Sequence, residues 1–198
     1  MSVHERKRLL RQRMLILRNS KPSEELDALS DRIAARLLGL HEIKNATIVS
    51  TYLHIGSEVR TSRIFNLLLS EGKKVIVPVT DKANRRLVFS EIKCPERELV
   101  RGTFGILEPA AEFRRPTPLE QADIILVPGV AWDLRGYRIG YGAGYYDRSI
   151  SSLQKFLPKI GLSYEFQIVE RIPNSEFDRR VDRLVTERRV VNTNSNER

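Results

Sequence analysis

Residues 127–148 read VPGVAWDLRGYRIGYGAGYYDR, the part of the chain with the densest chemical potential. Gly140, Gly142 and Gly144 can adopt positive φ and turn successive backbone N–H groups toward anionic oxygens. A helix opening near Gly144 or Tyr145 would add the favourable field of its N-terminus. Arg138 and Arg148 are candidate side-chain clamps for phosphate. Asp147 is a hard oxygen ligand of the kind that holds Mg²⁺ beside phosphates. Tyr145, Tyr146 and Trp132 offer faces for a flat ring system. Together these types suit a polyphosphate. The spacing is G-x-G-x-G, which is neither the dinucleotide fingerprint nor a P-loop. On the residues alone, a turn whose tyrosines pack on the core accounts for the same stretch.

The elements around this loop must hold it. Residues 3–18 predict a basic amphipathic helix with Val3, Leu10, Met14 and Leu17 on one face and Lys7 and Arg11 a turn apart on another. A second helix follows, with Ser20 or Ser23 as candidate N-caps and Leu26, Leu29, Ile33, Leu37 and Leu40 at helical spacing. It stops near Gly39. A third helix opens near Thr61 and ends at Gly72. Residues 149–157 read as helical. Residues 46–53, 74–79, 87–92, 122–129 and 159–164 read as strands, and 182–191 as a last short one. The strands are continuous apolar runs alternating with helices. That pattern predicts an α/β fold, a three-layer α/β/α sandwich with a mostly parallel sheet. In such sheets ligands bind beyond the carboxyl ends of strands, which selects two loops: 54–60 and 128–148.

Length predicts one domain over residues 1–198, with a polar, frayed tail from about 192. No apolar run reaches the ~20 residues that span a bilayer. The charged N-terminus lacks the apolar centre of a secretory signal. Cys94 is the single cysteine, so no internal disulfide can form and a cytoplasmic location is expected. Lys and Arg number 34 against 25 Asp and Glu, a net charge of +9 that favours anionic ligands. His4, His41, His54 and Cys94 show no metal-ligand spacing.

The 127–148 stretch resembles the signature of the 5-formyltetrahydrofolate cyclo-ligases (5,10-methenyltetrahydrofolate synthetases), loosely P-G-v-a-f-D-x-x-G-x-R-l-G-x-G-x-G-Y-Y-D. The resemblance extends to an early K-x-x-x-R at Lys7 and Arg11, to the loop from Leu53 to Glu58, to GILEP at 105–109, and to the C-terminal acidic segment NSEFDRRVDRLVTE. It implies a fold akin to the sugar-phosphate isomerase and CoA-transferase group. It also implies ATP as co-substrate, Mg²⁺ as cofactor and a folate substrate. The implied reaction phosphorylates the N5-formyl oxygen, after which N10 closes the ring and phosphate leaves. By position, the resemblance assigns ATP to Lys7, Arg11, Arg138, Ile139, Gly140, Tyr141, Gly142, Ala143, Gly144, Tyr145 and Tyr146. It assigns the folate to Tyr52, Leu53, Glu58, Trp132 and Tyr145, catalysis to Arg138 and Tyr145, and the metal to Asp147 with Asp178; Asp182 is the alternative to Asp178. Ala143 stands where relatives often have glycine, and Tyr141 fills a position that is basic in some.

Under this resemblance the expected partners are ATP and 5-formyltetrahydrofolate, the latter with its glutamate chain, and the chain is expected to act as a monomer without nucleic acid or membrane. Two rivals stand beside it. One keeps the fold and changes the chemistry to sugar-phosphate isomerisation or CoA transfer. The other takes the +9 charge as a nucleic-acid-binding surface.

Overall fold

The computed structural model describes residues 1–102 and 105–193. Its centre is a seven-stranded sheet in the order β12-β11-β9-β6-β1-β2-β3. The strands are β1 (Ile48–Ser50), β2 (Lys74–Asp81), β3 (Arg86–Ile92), β6 (Ile124–Val127), β9 (Lys159–Leu162), β11 (Arg183–Val185) and β12 (Val190–Asn192). The five inner strands are parallel, and β3 and β12 are antiparallel edges. The fold is therefore mixed α/β around a mostly parallel sheet, as the alternating pattern predicts. The single last strand expected over 182–191 is a hairpin: β11 and β12 pair antiparallel, with Thr186 bonding back to Arg189 across the turn.

Side chains alternate across the sheet and supply two cores. Val75, Val77, Ile124, Leu126, Ile160 and Leu162 face one layer of helices, α2 (Ser23–Leu38), α3 (His41–Asn45) and α4 (Ser62–Ser70). Leu26, Ile33 and Leu37 of α2 and Ile64, Phe65 and Leu68 of α4 meet them there, at the three- and four-residue spacing read from the sequence. Ile76, Ile125, Val127 and Leu184 face the other way, toward Trp132 and Ile150. That side is covered by α6 (Tyr145–Ser151) and by a small sheet of β10 (Ile168–Val169), β7 (Ala131–Asp133) and β8 (Arg138–Ile139). A second hairpin, β4 (Leu99–Arg101) with β5 (Leu107–Pro109), follows the four-residue α5 (Pro95–Glu98).

Helix α1 (Val3–Asn19) starts on a Ser2 cap and lies over the small sheet, where Met14 packs with Val130, Ala131 and Ile139. Of the apolar stripe expected, Met14 is buried and Leu10 packs beside it, but Leu17 turns outward. Leu17 is 39% exposed and Ile16 65%, whereas Arg18 is 1% exposed. Lys7, Arg11 and Arg18 also turn inward, because the loops beneath α1 present oxygen acceptors beside the apolar cluster. The expected serine caps of α2 are also corrected: Pro22 is the N-cap, and no side chain caps that end. The helix expected over 149–157 is α6, which begins earlier and stops at Ser151. Of the polar tail expected from about 192, Asn192 closes β12, and residues 194–198 lie outside the described residues.

The β7–β8 turn is built on one carboxylate. Asp133 is fully buried and accepts from the backbone N–H groups of Arg135, Tyr137 and Ile172 and from the Arg135 guanidinium. A buried acid saturated in this way fixes the turn that sends Arg138 into the cavity described below.

Trp132 is the chain's single tryptophan, and its ring lies flat against Gly129 and Gly161. A Cβ at Gly161 would sit 2.5 Å from that ring, and one at Gly129 also 2.5 Å. Gly161→Ala is therefore expected to cost about 1–3 kcal/mol by overpacking and to shift the intrinsic fluorescence as Trp132 is displaced. Urea unfolding followed at the tryptophan emission checks both.

Candidate active site

Strands β1, β2 and β3 succeed one another toward one edge of the sheet, and β6, β9, β11 and β12 toward the other. The crevice between the carboxyl ends of β1 and β6 is thus the topological switch point, where open α/β sheets place ligands. A cavity of about 640 Å³ opens there. Its walls bring together nearly every residue selected from the sequence: Lys7 and Arg11 from α1, Tyr52, Leu53 and Glu58 from the loop after β1, residues 138–147, and Asp178.

The loop after β1 is tied down locally. The apolar run 46–53 leaves the sheet after Ser50, so Tyr52 and Leu53 belong to the rim. Thr61 donates its hydroxyl to the Tyr52 carbonyl at 2.7 Å. Arg60 reaches Asp27 and Ser23 of α2 and the Gly56 carbonyl. Glu58 folds back to accept from the Ile55 N–H at 2.9 Å and is 4% exposed. Burial pushes its carboxyl up to about 7, against the Ile55 N–H, the charge of Arg18 and a hydrogen bond from Tyr141. Burial and the neighbouring Glu58 likewise raise the Tyr52 hydroxyl well above its ordinary value and the buried Tyr146 hydroxyl above its own.

The glycine loop takes positive φ at Gly142 (+106°) and Gly144 (+68°), where Gly144 caps α6. Gly140 does not; it accepts Arg11 Nε at 2.7 Å on its carbonyl. Ala143 also has negative φ, so the alanine is unstrained where relatives often carry glycine. Arg138 is 7% exposed, with Nη1 on the Arg179 carbonyl at 3.0 Å and Nη2 3.2 Å from Asp147. Lys7 Nζ donates to Asp178 at 2.6 Å. Burial raises the Asp178 carboxyl, but Lys7 and the Ser175 N–H outweigh it and leave it below the usual range.

Three selected residues fall elsewhere. Trp132 does not line the cavity: it is fully buried beneath it, filling the space over two glycines. Arg148 turns away to the Arg85 carbonyl and stacks over Tyr145. Asp182, the alternative to Asp178, is pinned at the foot of β9 by the Lys159 N–H and ammonium, away from the cavity wall. Among the described residues, no group of three or more His, Cys, Asp and Glu side chains could hold a metal ion on its own. None of the helices among them is long and apolar enough to cross a membrane.

A family model described as the 5-formyltetrahydrofolate cyclo-ligase family matches residues 3–187. The chain belongs to that family. The 5-formyltetrahydrofolate cyclo-ligase of Escherichia coli K12 is 29% identical over 184 residues, 92% of this chain and 98% of that protein. That of Haemophilus influenzae is 30% identical over 148 residues, 74% of this chain and 79% of the relative. Among solved structures, the 5,10-methenyltetrahydrofolate synthetase of Aquifex aeolicus is 36% identical, with a TM-score of 0.83 over 94% of this chain and 92% of that one. A Mycoplasma pneumoniae structure, 23% identical with a TM-score of 0.74 over 91% of this chain and 98% of its own, shares the fold.

Two residues of this cyclo-ligase family member escaped the sequence reading. Glu108, in the GILEP segment, is 6% exposed and lines the cavity wall near Thr80. Its segment was visible in the sequence, but nothing in the residue type told it from a surface acid. Arg18 sits in a run of basic residues, and only its register with Lys7 and Arg11, about three and two turns away, marks it as inward-facing.

Because the folded protein holds the Glu58 proton more tightly than the unfolded chain, this group's contribution to stability falls as pH rises from about 4.5 through about 7. Glu58→Gln keeps an acceptor for the Ile55 N–H and abolishes that titration. The variant is expected to match the parent at pH 5 and to exceed it at pH 8 by up to about 3 kcal/mol, read by urea unfolding at the two pH values.

Proposed function

We propose that the chain converts 5-formyltetrahydrofolate to 5,10-methenyltetrahydrofolate, using ATP and releasing ADP and phosphate. One observation carries the reading: a single cavity holds three cationic side chains, Lys7, Arg11 and Arg138, together with the buried acceptor Glu58. The cations suit a triphosphate, and a carboxylate suits the adjacent amino and ring N–H donors of a pterin. A formyl amide is a poor electrophile, so its oxygen must become a leaving group. The formyl oxygen attacks the γ-phosphorus and ADP departs. The N10 lone pair then attacks the activated formyl carbon, N10 gives up its proton, and the C–O bond breaks to release phosphate.

The protein's part in this is positioning and charge stabilisation, as in other phosphoryl transfers. Lys7 and Arg11, one helical turn apart, bind the triphosphate. Arg138, held by Asp147 and the Arg179 carbonyl, already points its charge into the cavity where the transferring group would lie. The loop from Ile139 to Tyr146 follows the nucleotide, with Tyr145 at the reacting end. Tyr52 and Leu53 flank the folate on the side of Glu58. Covering Lys7 with phosphate would release Asp178 from its ion pair. Asp147 and Asp178, two carboxylates beside phosphate oxygens, then fit what Mg²⁺ takes from proteins, and the ion would neutralise charge on the phosphates. The reading also takes the chain as one domain and a cytoplasmic monomer. It keeps the kinship of the sheet with the sugar-phosphate isomerase and CoA-transferase group, on the strength of its parallel, doubly covered strands. Lys7, Arg11 and Arg18 turn inward to oxygen acceptors, which leaves Arg6, Arg8 and Arg13 as the exposed cations of α1.

The test is an absorbance assay with 5-formyltetrahydrofolate and Mg²⁺, with and without ATP, following the near-ultraviolet band of the methenyl product. The band is expected only with ATP; a flat trace from folded protein overturns the reading. Lys7→Met and Arg11→Met are each expected to lower kcat/KM for ATP by about 10–100-fold, as loss of a charge-assisted phosphate contact does, while KM for the folate changes little.

A further inference from the structure

Arg18 is 1% exposed, yet among the described residues no carboxylate lies within ion-pair distance of it. A guanidinium buried this far is tolerated only with its donors satisfied. Nε donates to Ser57 Oγ at 2.9 Å, Nη2 to the Tyr141 hydroxyl at 2.7 Å, and Nη1 reaches the Gly129 carbonyl at 3.4 Å. These acceptors sit on three separate loops of the cavity. Ser57 adjoins Glu58, and Gly129 follows β6.

The chemistry of the middle contact gives it a direction. Arginine can only donate, so the Tyr141 oxygen is the acceptor and its own proton must go elsewhere. The Tyr141 hydroxyl faces the Glu58 carboxyl in the same cavity wall, and burial with that carboxyl pushes it up to about 12, so it remains a donor. Glu58 is faced by Arg18 from α1, Tyr141 from the glycine loop, Tyr146 from α6 and Tyr52 from beyond β1. Arg18 is the one cation among these.

We infer that Arg18 and Tyr141 act as positioning residues, a one-way donor relay that orients Glu58 and favours its acceptor form, and so selects a ligand presenting adjacent N–H donors. The inference rests on the folate reading for the identity of that ligand. Tyr141 would thereby also register the glycine loop to the opposite end of the cavity, joining the nucleotide wall to the folate wall.

Tyr141→Phe removes only the hydroxyl of a half-exposed ring, so it tests the relay without threatening the fold. Arg18→Met and Arg18→Lys accompany it, with melting temperatures taken alongside; Tyr141→Phe decides the matter if Arg18→Met does not fold. Two readouts apply. The first is the ¹³C carboxyl titration of Glu58 in the free protein, assigned by its loss in Glu58→Gln. Tyr141→Phe and Arg18→Met are expected to raise its midpoint by about half a unit or more, with Arg18→Lys between them and the parent. The second is KM for 5-formyltetrahydrofolate against pH. A rise of about 2–6-fold near pH 7 is expected, converging on the parent near pH 9, with KM for ATP within about twofold in the Arg18 variants. An unmoved titration, or a loss equal at all pH values and for both substrates, overturns the relay. The titration needs no turnover, so an inactive parent would sink the folate reading and leave the relay still measurable.

Discussion

Three cations on one face of α1 hold the cavity in shape. Lys7, Arg11 and Arg18 are one and three turns apart, and each ends on a different part of the wall: the Asp178 carboxylate, the Gly140 carbonyl, and the Ser57–Tyr141–Gly129 cluster. Of the residues along that stripe, Met14 alone is an ordinary core contact. Leu10, Met14 and Leu15 give the helix its apolar contact with the small sheet. Its position depends as well on charge-assisted hydrogen bonds, which are directional and tolerate small displacements poorly. The same directionality that fixes the helix aims the unused hydrogen-bonding capacity of its cations into the cavity.

The rest of the site follows from how charge is distributed around that helix. Asp147 and Asp178 neutralise Arg138 and Lys7 while no ligand is bound, and both pairs lie in the cavity wall. An incoming polyanion competes for the cations and frees the acids. Glu58 has no such direct ionic partner: it is desolvated, and its surroundings are hydroxyls, a backbone N–H and the charge of Arg18 one step removed. One region of the cavity is therefore matched to anions and another to neutral N–H donors, within the fixed frame of the β1/β6 crevice. The two regions are held in register by the backbone around Asp133, whose saturated carboxylate leaves the β7–β8 turn little freedom.

Much of this architecture is legible in the amino-acid sequence. The parallel sheet followed from continuous apolar runs, and α2 and α4 from their three-four spacing. The glycine loop and the loop ending in Glu58 were selected by lying after strands. What escaped was set by partners distant in sequence. The cationic part of the buried face of α1 could not be read from hydropathy, because its acceptors lie 39 to 171 positions away. Trp132 looked like a pocket aromatic because residue type says nothing of depth; its place was decided by two glycines that leave room for the ring beneath the site. Position in the resemblance favours Asp178 over Asp182, and Lys159 separates the two in space by claiming Asp182. The small sheet of β7, β8 and β10 has strands of two or three residues, too short to show a period.

The contact between Lys7 and Asp178 joins positions 171 residues apart, and it has a temporal side. Translation delivers α1 first and its anchor near the end. While the chain is being made, Arg18 meets Ser57 early, and Gly129, Gly140 and Tyr141 follow with the strands of the small sheet. Lys7 alone must wait for the segment beyond β10. The Lys7–Asp178 contact is thus the α1 anchor of longest sequence separation and carries the largest loop-closure cost of the set.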